Sequence, residues 1–176
     1  MIDEDSNNQW HQYFYYVLQE LLTPVGLIVQ SELRLGTYPP KIDVIIIRRE
    51  TKHWTPEQLE RLPDGVRHSK APYILLEFKY TESFNENAIY QIAYYERSYR
   101  KTQKLSKKQV QSFLVISKTP RAARLAKFDY EPTKYKGVYK SRNVLATPFL
   151  MLVLNKLGNE PYNVYFKLGS LWVSWR

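Results

Sequence analysis

Cysteine is absent from this chain of 176 residues, glycine occurs six times and histidine three times. The missing thiols exclude cysteine nucleophiles, cysteine-ligated zinc and disulfide frameworks, and they suit a reducing compartment, so a cytoplasmic location is the expectation. The few glycines form no Gly-rich phosphate loop, which argues against a nucleotide-binding motor. His11, His53 and His68 show no metal-binding spacing, and no serine sits in a recognisable nucleophile motif. Long apolar runs are missing as well. Phe149 to Leu154 is too short to span a bilayer, so no membrane partner is expected. The acidic start, Met1-Ile2-Asp3-Glu4-Asp5, lacks the basic end and apolar block of a secretory signal.

What is present is positive charge and tyrosine. Lysine and arginine number 26 against 17 acidic residues, a formal net charge of +9. Such a field favours polyanionic partners, because it speeds encounter and each neutralised phosphate releases counterions; nucleic acid leads. Fifteen tyrosines suit base stacking or an interface, and equally suit half-buried packing on sheets and helices. The length suits a single domain over residues 1–176, large enough for a real core without disulfides or structural metal.

Periodicity orders the elements. A helix runs from a capping-box pattern at Ser6 to Gln9, through Trp10, Tyr13, Phe14, Val17, Leu18 and Leu21, to Thr23-Pro24. Gln12, Tyr16 and Glu20 line another edge of it. Gly26 to Leu35 alternates as a strand, and a turn at Gly36 to Pro40 leads into a strand containing Asp43. A long polar connection, Arg48 to Ala71, holds a short helix beginning at Thr55-Pro56; it is expected either to lie against a substrate or to be a simple insertion. A strand over Tyr73 to Tyr80 follows. Ser83 to Glu86 offers a second capping box, opening a helix to about Lys101, and Val110 to Ser117 is the next strand. Beyond Pro120, Arg121 to Phe128 is expected to be helical and Tyr130 to Arg142 turn-like. Either Thr147-Pro148 starts a helix through Leu157 or the run Phe149 to Leu154 is a buried strand, and two short strands are expected over Tyr162 to Leu168 and Leu171 to Trp175.

Two of these strands carry charge where a core should be apolar. In Tyr73-Ile74-Leu75-Leu76-Glu77-Phe78-Lys79-Tyr80, alternation sends Glu77 and Lys79 to one face and Ile74, Leu76 and Phe78 to the other. Asp43 shares its face with Ile45 and Ile47. Buried charges cost several kcal/mol unless they are paired or bind a metal, so the two strands together mark a working site. Phosphodiester hydrolysis needs an activated water and a sink for negative charge, and Mg2+ provides both with hard oxygen ligands. Asp43, Glu77 and the Phe78 carbonyl are candidate ligands. Lys79 would sit beside the metal, orienting or helping deprotonate the water, or stabilising the transition state as a fixed cation.

With Glu77-Phe78-Lys79 as the acid-x-Lys element and Asp43 as the preceding acid, the chain resembles the PD-(D/E)XK nuclease superfamily. The resemblance covers about residues 8–117 and implies an α/β, restriction-endonuclease-like core, helix–three strands–helix–strand, with a mixed central sheet and a C-terminal extension over about 118–176. Ile42 stands where that name has a proline. The resemblance also implies an upstream acid, for which Glu20 is the candidate and Glu32 its competitor. Gln91-Ile92-Ala93-Tyr94-Tyr95 resembles the Gln-x-x-x-Tyr signature of the RecB-like exonuclease branch, implying that Gln91 and Tyr95, one helical turn apart, position the substrate.

The expected activity is metal-dependent hydrolysis of DNA, with Mg2+ as cofactor and Mn2+ able to substitute. The rival is a catalytically silent nuclease-like domain that binds nucleic acid or a protein partner. A second copy of the chain is a further candidate partner, since dimerisation bears on double-strand cutting. Arg97, Arg100, Lys101, Lys104, Lys107 and Lys108, with no acid among them, are expected to form a phosphate-binding patch beside the site.

Overall fold

The computed structural model describes residues 4–34, 41–79, 84–146 and 148–172, with side chains for 9–32, 44–79, 84–146 and 148–171. It is an α/β protein built on one mixed sheet of seven strands, in the order β1-β2-β3-β4-β7-β6-β5. These are β1 (Ile28–Arg34), β2 (Lys41–Arg48), β3 (Tyr73–Lys79), β4 (Val110–Ile116), β5 (Tyr130–Pro132), β6 (Val138–Ser141) and β7 (Phe149–Val153). The first three form an antiparallel meander, while β3, β4 and β7 run parallel. The parallel step from β3 to β4 requires a crossover, and α3 (Glu86–Gln103) supplies it.

Both faces of the central strands are covered, which explains why their sequences read as continuous apolar runs. Ile45, Ile47, Ile74, Leu76 and Phe78 belong to one core with Trp10, Phe14 and Leu18 of α1 (Glu4–Leu22) and Phe166 of α5 (Val164–Trp172). Val44, Ile46 and Leu75 belong to a second core with Ile89, Ile92 and Tyr99 of α3. Phe78 anchors the first core, its ring 4.5 Å from Phe14 and edge-on to Trp10 at 5.5 Å. Truncating a fully buried phenylalanine to alanine costs about 3–5 kcal/mol, so Phe78 fixes where α1 crosses the end of β3.

Helix termini differ in detail from expectation. α1 already includes Glu4, so Ser6 lies inside the helix and does not cap it. α3 starts from Asn85, whose side chain accepts from the Ala88 amide at 3.1 Å; Ser83 lies outside the described residues. The basic stretch after α4 (Ala122–Lys127) forms the β5–β6 pair rather than turns alone, and Phe149–Val153 is a strand, paired in parallel with β4.

The strand expected over Tyr162 to Leu168, and the start of the one expected over Leu171 to Trp175, are corrected: Val164–Trp172 is α5, and residues 173–175 lie outside the described residues. Valine, tyrosine and tryptophan favour strands, but tertiary packing overrides that preference. Phe166, Gly169 and Ser170 are buried at helical spacing. A β-carbon on Gly169 would stand 1.8 Å from Phe14 Cζ, so only glycine lets α5 approach α1 this closely.

The long connection is tied down at the opposite end of the sheet from Glu77. Arg49 donates to the carbonyls of Thr51, Lys52 and Lys70 and lies over the Trp54 ring. Short α2 (Pro56–Leu59) has a complete Thr55–Gln58 capping box. Gln58 donates to the Val25 carbonyl at 3.0 Å and Arg61 to the Leu21 carbonyl at 2.7 Å, bolting the segment to the end of α1.

Candidate functional site

β3 delivers Glu77 and Lys79 to the α3 face, and α3 runs back across them. Glu77 is only 1% exposed. Lys79 Nζ lies 2.8 Å from Glu77 Oε1, with its side chain 13% exposed. The same ammonium donates to Gln91 Oε1 at 2.6 Å, and Gln91 Nε2 donates to Tyr95 Oη at 3.0 Å. An ammonium can only donate, so the glutamine atom facing it must be the oxygen, which leaves the amide nitrogen for Tyr95. The result is one chain of contacts, Glu77–Lys79–Gln91–Tyr95, joining the end of β3 to one turn of α3.

The Phe78 carbonyl is held from the other face. His11 Nε2 lies 2.8 Å from it, inside the protein, and since a carbonyl only accepts, Nε2 carries the proton. His11 sits among aromatic rings, 6.0 Å from Trp10 and 5.9 Å from Phe78. Metal-ligand spacing in the sequence does not single out this histidine. Its place between Trp10 and Phe14 on the buried stripe of α1 is the signal that could have found it.

Asp43 lies in β2 at a break in register. β1 pairs Glu32 with Val44 and then Leu33 with Ile42, so Asp43 faces no residue of β1, the arrangement of a β-bulge. Strict alternation would put Asp43 with Ile45 and Ile47, on the face opposite Glu77. A bulge interrupts that alternation at this residue. The Asp43 side chain lies outside the described side chains.

The two candidates for the upstream acid separate clearly. Glu20 is exposed on α1 in a groove with Tyr13, Tyr16, Arg61 and Tyr165. It is nine residues beyond His11, about 13 Å along the helix, and is not brought to Glu77. Glu32 pairs with Val44, and Val44 pairs with Glu77. That row places Glu32 on Glu77's face, two strands away, on the order of 10 Å.

The residues of the expected basic patch are spread over α3 and the approach to β4, and Lys107 and Lys108 are far from Lys79. Tyr73 pairs with Val110 and Lys79 with Ile116, so the approach to β4 lies about 20 Å from Lys79 along the sheet. Lys107 and Lys108 are on that approach, in a 3-10 turn at Lys107–Gln109. Arg97 and Lys101 are exposed on α3, and Lys104 is its left-handed C-cap at φ 56°. Arg100 instead turns inward, 3.3 Å from buried Glu96, whose other oxygen accepts from Ser112 Oγ at 2.6 Å. A buried carboxylate needs such partners, and this need draws Arg100 away from solvent.

Among the described residues no group of three or more histidine, aspartate or glutamate side chains could hold a metal ion. The candidate donors, Glu77, the Phe78 carbonyl and Asp43, are all oxygens, which suits Mg2+; that ion needs only one or two carboxylates when waters and a substrate phosphate complete its shell. The Phe78 carbonyl oxygen carries two lone pairs, one of which meets His11. Among the described residues no helix is long and apolar enough to cross a membrane. No protein-family model, curated protein or solved structure matches this chain.

Proposed function

We propose that this protein is a metal-dependent nuclease that hydrolyses DNA phosphodiester bonds with Mg2+, or Mn2+ in its place, on a restriction-endonuclease-like core. With short α2 as an insertion between β2 and β3, the order α1, β1–β2–β3, α3, β4 agrees with the helix–three strands–helix–strand arrangement of that core. The single observation that carries the reading is the Lys79 ammonium held between the Glu77 carboxylate and the Gln91 amide. A buried ion pair is expensive to desolvate and is weak evidence of stabilisation, so its presence at a strand end beside a bulged aspartate argues for chemistry.

Glu77, Asp43 and the Phe78 carbonyl would hold the ion, which when bound supplies an acidified water and a positive charge for the phosphoryl oxygens. Gln91 fixes the direction of the Lys79 ammonium. Lys79 presents its remaining proton to the attacking water or a phosphate oxygen and offsets charge that develops there. Tyr95 holds Gln91 in register with Lys79. His11 braces the carbonyl between the two charged residues.

The test is incubation of the purified chain with linear and circular DNA in Mg2+, Mn2+ or EDTA, beside an Asp43→Ala variant. Metal-dependent cutting that this variant loses supports the reading. No cutting by wild type, with DNA bound equally by both proteins, sinks it and leaves the silent binding domain.

A further inference from the structure

At the opposite end of the sheet from Lys79, three separate stretches of chain bring lysines around one cleft of about 740 Å³. Lys70 comes from the end of the long connection, Lys107 and Lys108 from the turn before β4, and Lys134 and Lys140 from the β5–β6 hairpin. All five are exposed, and no aspartate or glutamate lines the cleft. None of the five is in an ion pair with a described residue. The nearby acids are committed elsewhere: Asp129 and Glu131 to Arg142, and Glu96 to Arg100 and Ser112. Five like charges around a concavity repel one another, and folding alone does not call for them.

The walls are held apart by contacts that do not use the lysines. His68 stacks on Tyr135, centroids 3.8 Å apart and planes 11° from parallel, which joins the long connection to the hairpin. His68 also meets Asp64 at 3.2 Å, and Asp64 is gripped by buried Asn163. The hairpin closes on itself through Thr133 N–H to the Val138 carbonyl at 2.8 Å.

We propose that this lysine cleft is a second DNA-binding site, which holds the phosphate backbone of a duplex at the far end of the sheet from the Glu77–Lys79 site. Spread ammonium groups without arginine forks suit a polyelectrolyte rather than one discrete phosphate. The cleft opens on the face of the sheet that packs α1, with Tyr135, Val138 and Leu150 in its lining, whereas Glu77 and Lys79 lie on the α3 face, so the two sites are separate surfaces. The choice of DNA over another polyanion rests on the nuclease reading.

The test measures binding of a duplex of roughly 24 base pairs to the full chain in EDTA over a series of salt concentrations. Lys70→Gln/Lys107→Gln/Lys140→Gln removes one charge from each wall. Lys52→Gln/Lys118→Gln/Lys156→Gln removes the same charge from exposed positions elsewhere. The cleft variant is expected to bind at least about tenfold more weakly, with a log–log salt slope shallower by two to three, and the control to stay near wild type. Equal affinity in wild type and the cleft variant, an equal loss in the control, or no binding by wild type would each overturn the proposal. Cleavage in Mg2+ is scored on the same proteins. A cleft effect without any cutting leaves the cleft standing and removes the nuclease; cutting by a cleft variant of unchanged affinity does the reverse.

Discussion

Gln91 Oε1 lies 2.6 Å from Lys79 Nζ, across the boundary between α3 and β3. This bond converts a residue on a helix into the orienter of a charge on a strand, and it makes the ammonium's direction a property of both elements. Gln91→Ala should therefore lower the cleavage rate by about 10- to 100-fold, the range seen when a partner that orients a metal-site group is removed. DNA affinity in EDTA should stay within error of wild type. Single-turnover rates and binding isotherms, measured side by side, check this.

The Glu77–Lys79 pair is almost fully buried, so removing one partner is worse than removing both. Lys79→Met should destabilise the protein by about 3 kcal/mol or more, because a buried carboxylate loses its counter-charge. Glu77→Leu with Lys79→Met should recover a large part of that loss. Urea unfolding of the two variants tests the sign, and a double variant less stable than Lys79→Met would contradict it.

His11→Phe keeps the aromatic bulk between Trp10 and Phe78 but leaves the Phe78 carbonyl without its buried donor. The expected cost is about 1–3 kcal/mol. Because the same carbonyl is a proposed ligand, Mg2+ affinity by calorimetry should also weaken, an effect that a purely architectural histidine would not produce.

Alkaline pH should weaken the fold. Burial first, then the charges of Tyr73 and Glu32, pushes the Tyr99 phenol up to about 12, and burial raises Tyr130 as well. A phenol whose folded pKa exceeds its unfolded value holds its proton more tightly when folded. Stability is then unaffected below the ordinary tyrosine pKa, about 10, and falls as pH rises through the interval up to the folded value. Chemical denaturation at successive pH values should show this decline, and Tyr99→Phe should flatten it.

Much of the site could be read from spacing. Glu77 and Lys79 are two apart on a strand, Gln91 and Tyr95 four apart on a helix, and local periodicity carries both relationships. The order helix, three strands, helix, strand is legible for the same reason, whereas the antiparallel pairing of the first three strands is not. Three features needed the folded chain. The bulge at Asp43 arises from pairing with β1, and no pattern within β2 announces it. α5 is written in strand-favouring residues, and its helix packs Gly169 against Phe14, a partner far away in sequence. The lysines of the cleft are distant in sequence, and the run at residues 97–108 that resembled one patch is split by the ion pair between Arg100 and Glu96.

The measurement that bears most directly on the central claim is the single-turnover cleavage rate of duplex DNA in saturating Mg2+ for wild type, Glu77→Ala and Lys79→Ala, with folding checked by circular dichroism. Wild type is expected to cut in a way that EDTA abolishes, with rates at least about 100-fold lower in both folded variants. Cutting at the wild-type rate by either variant, or no cutting by wild type while it binds the duplex, would contradict it.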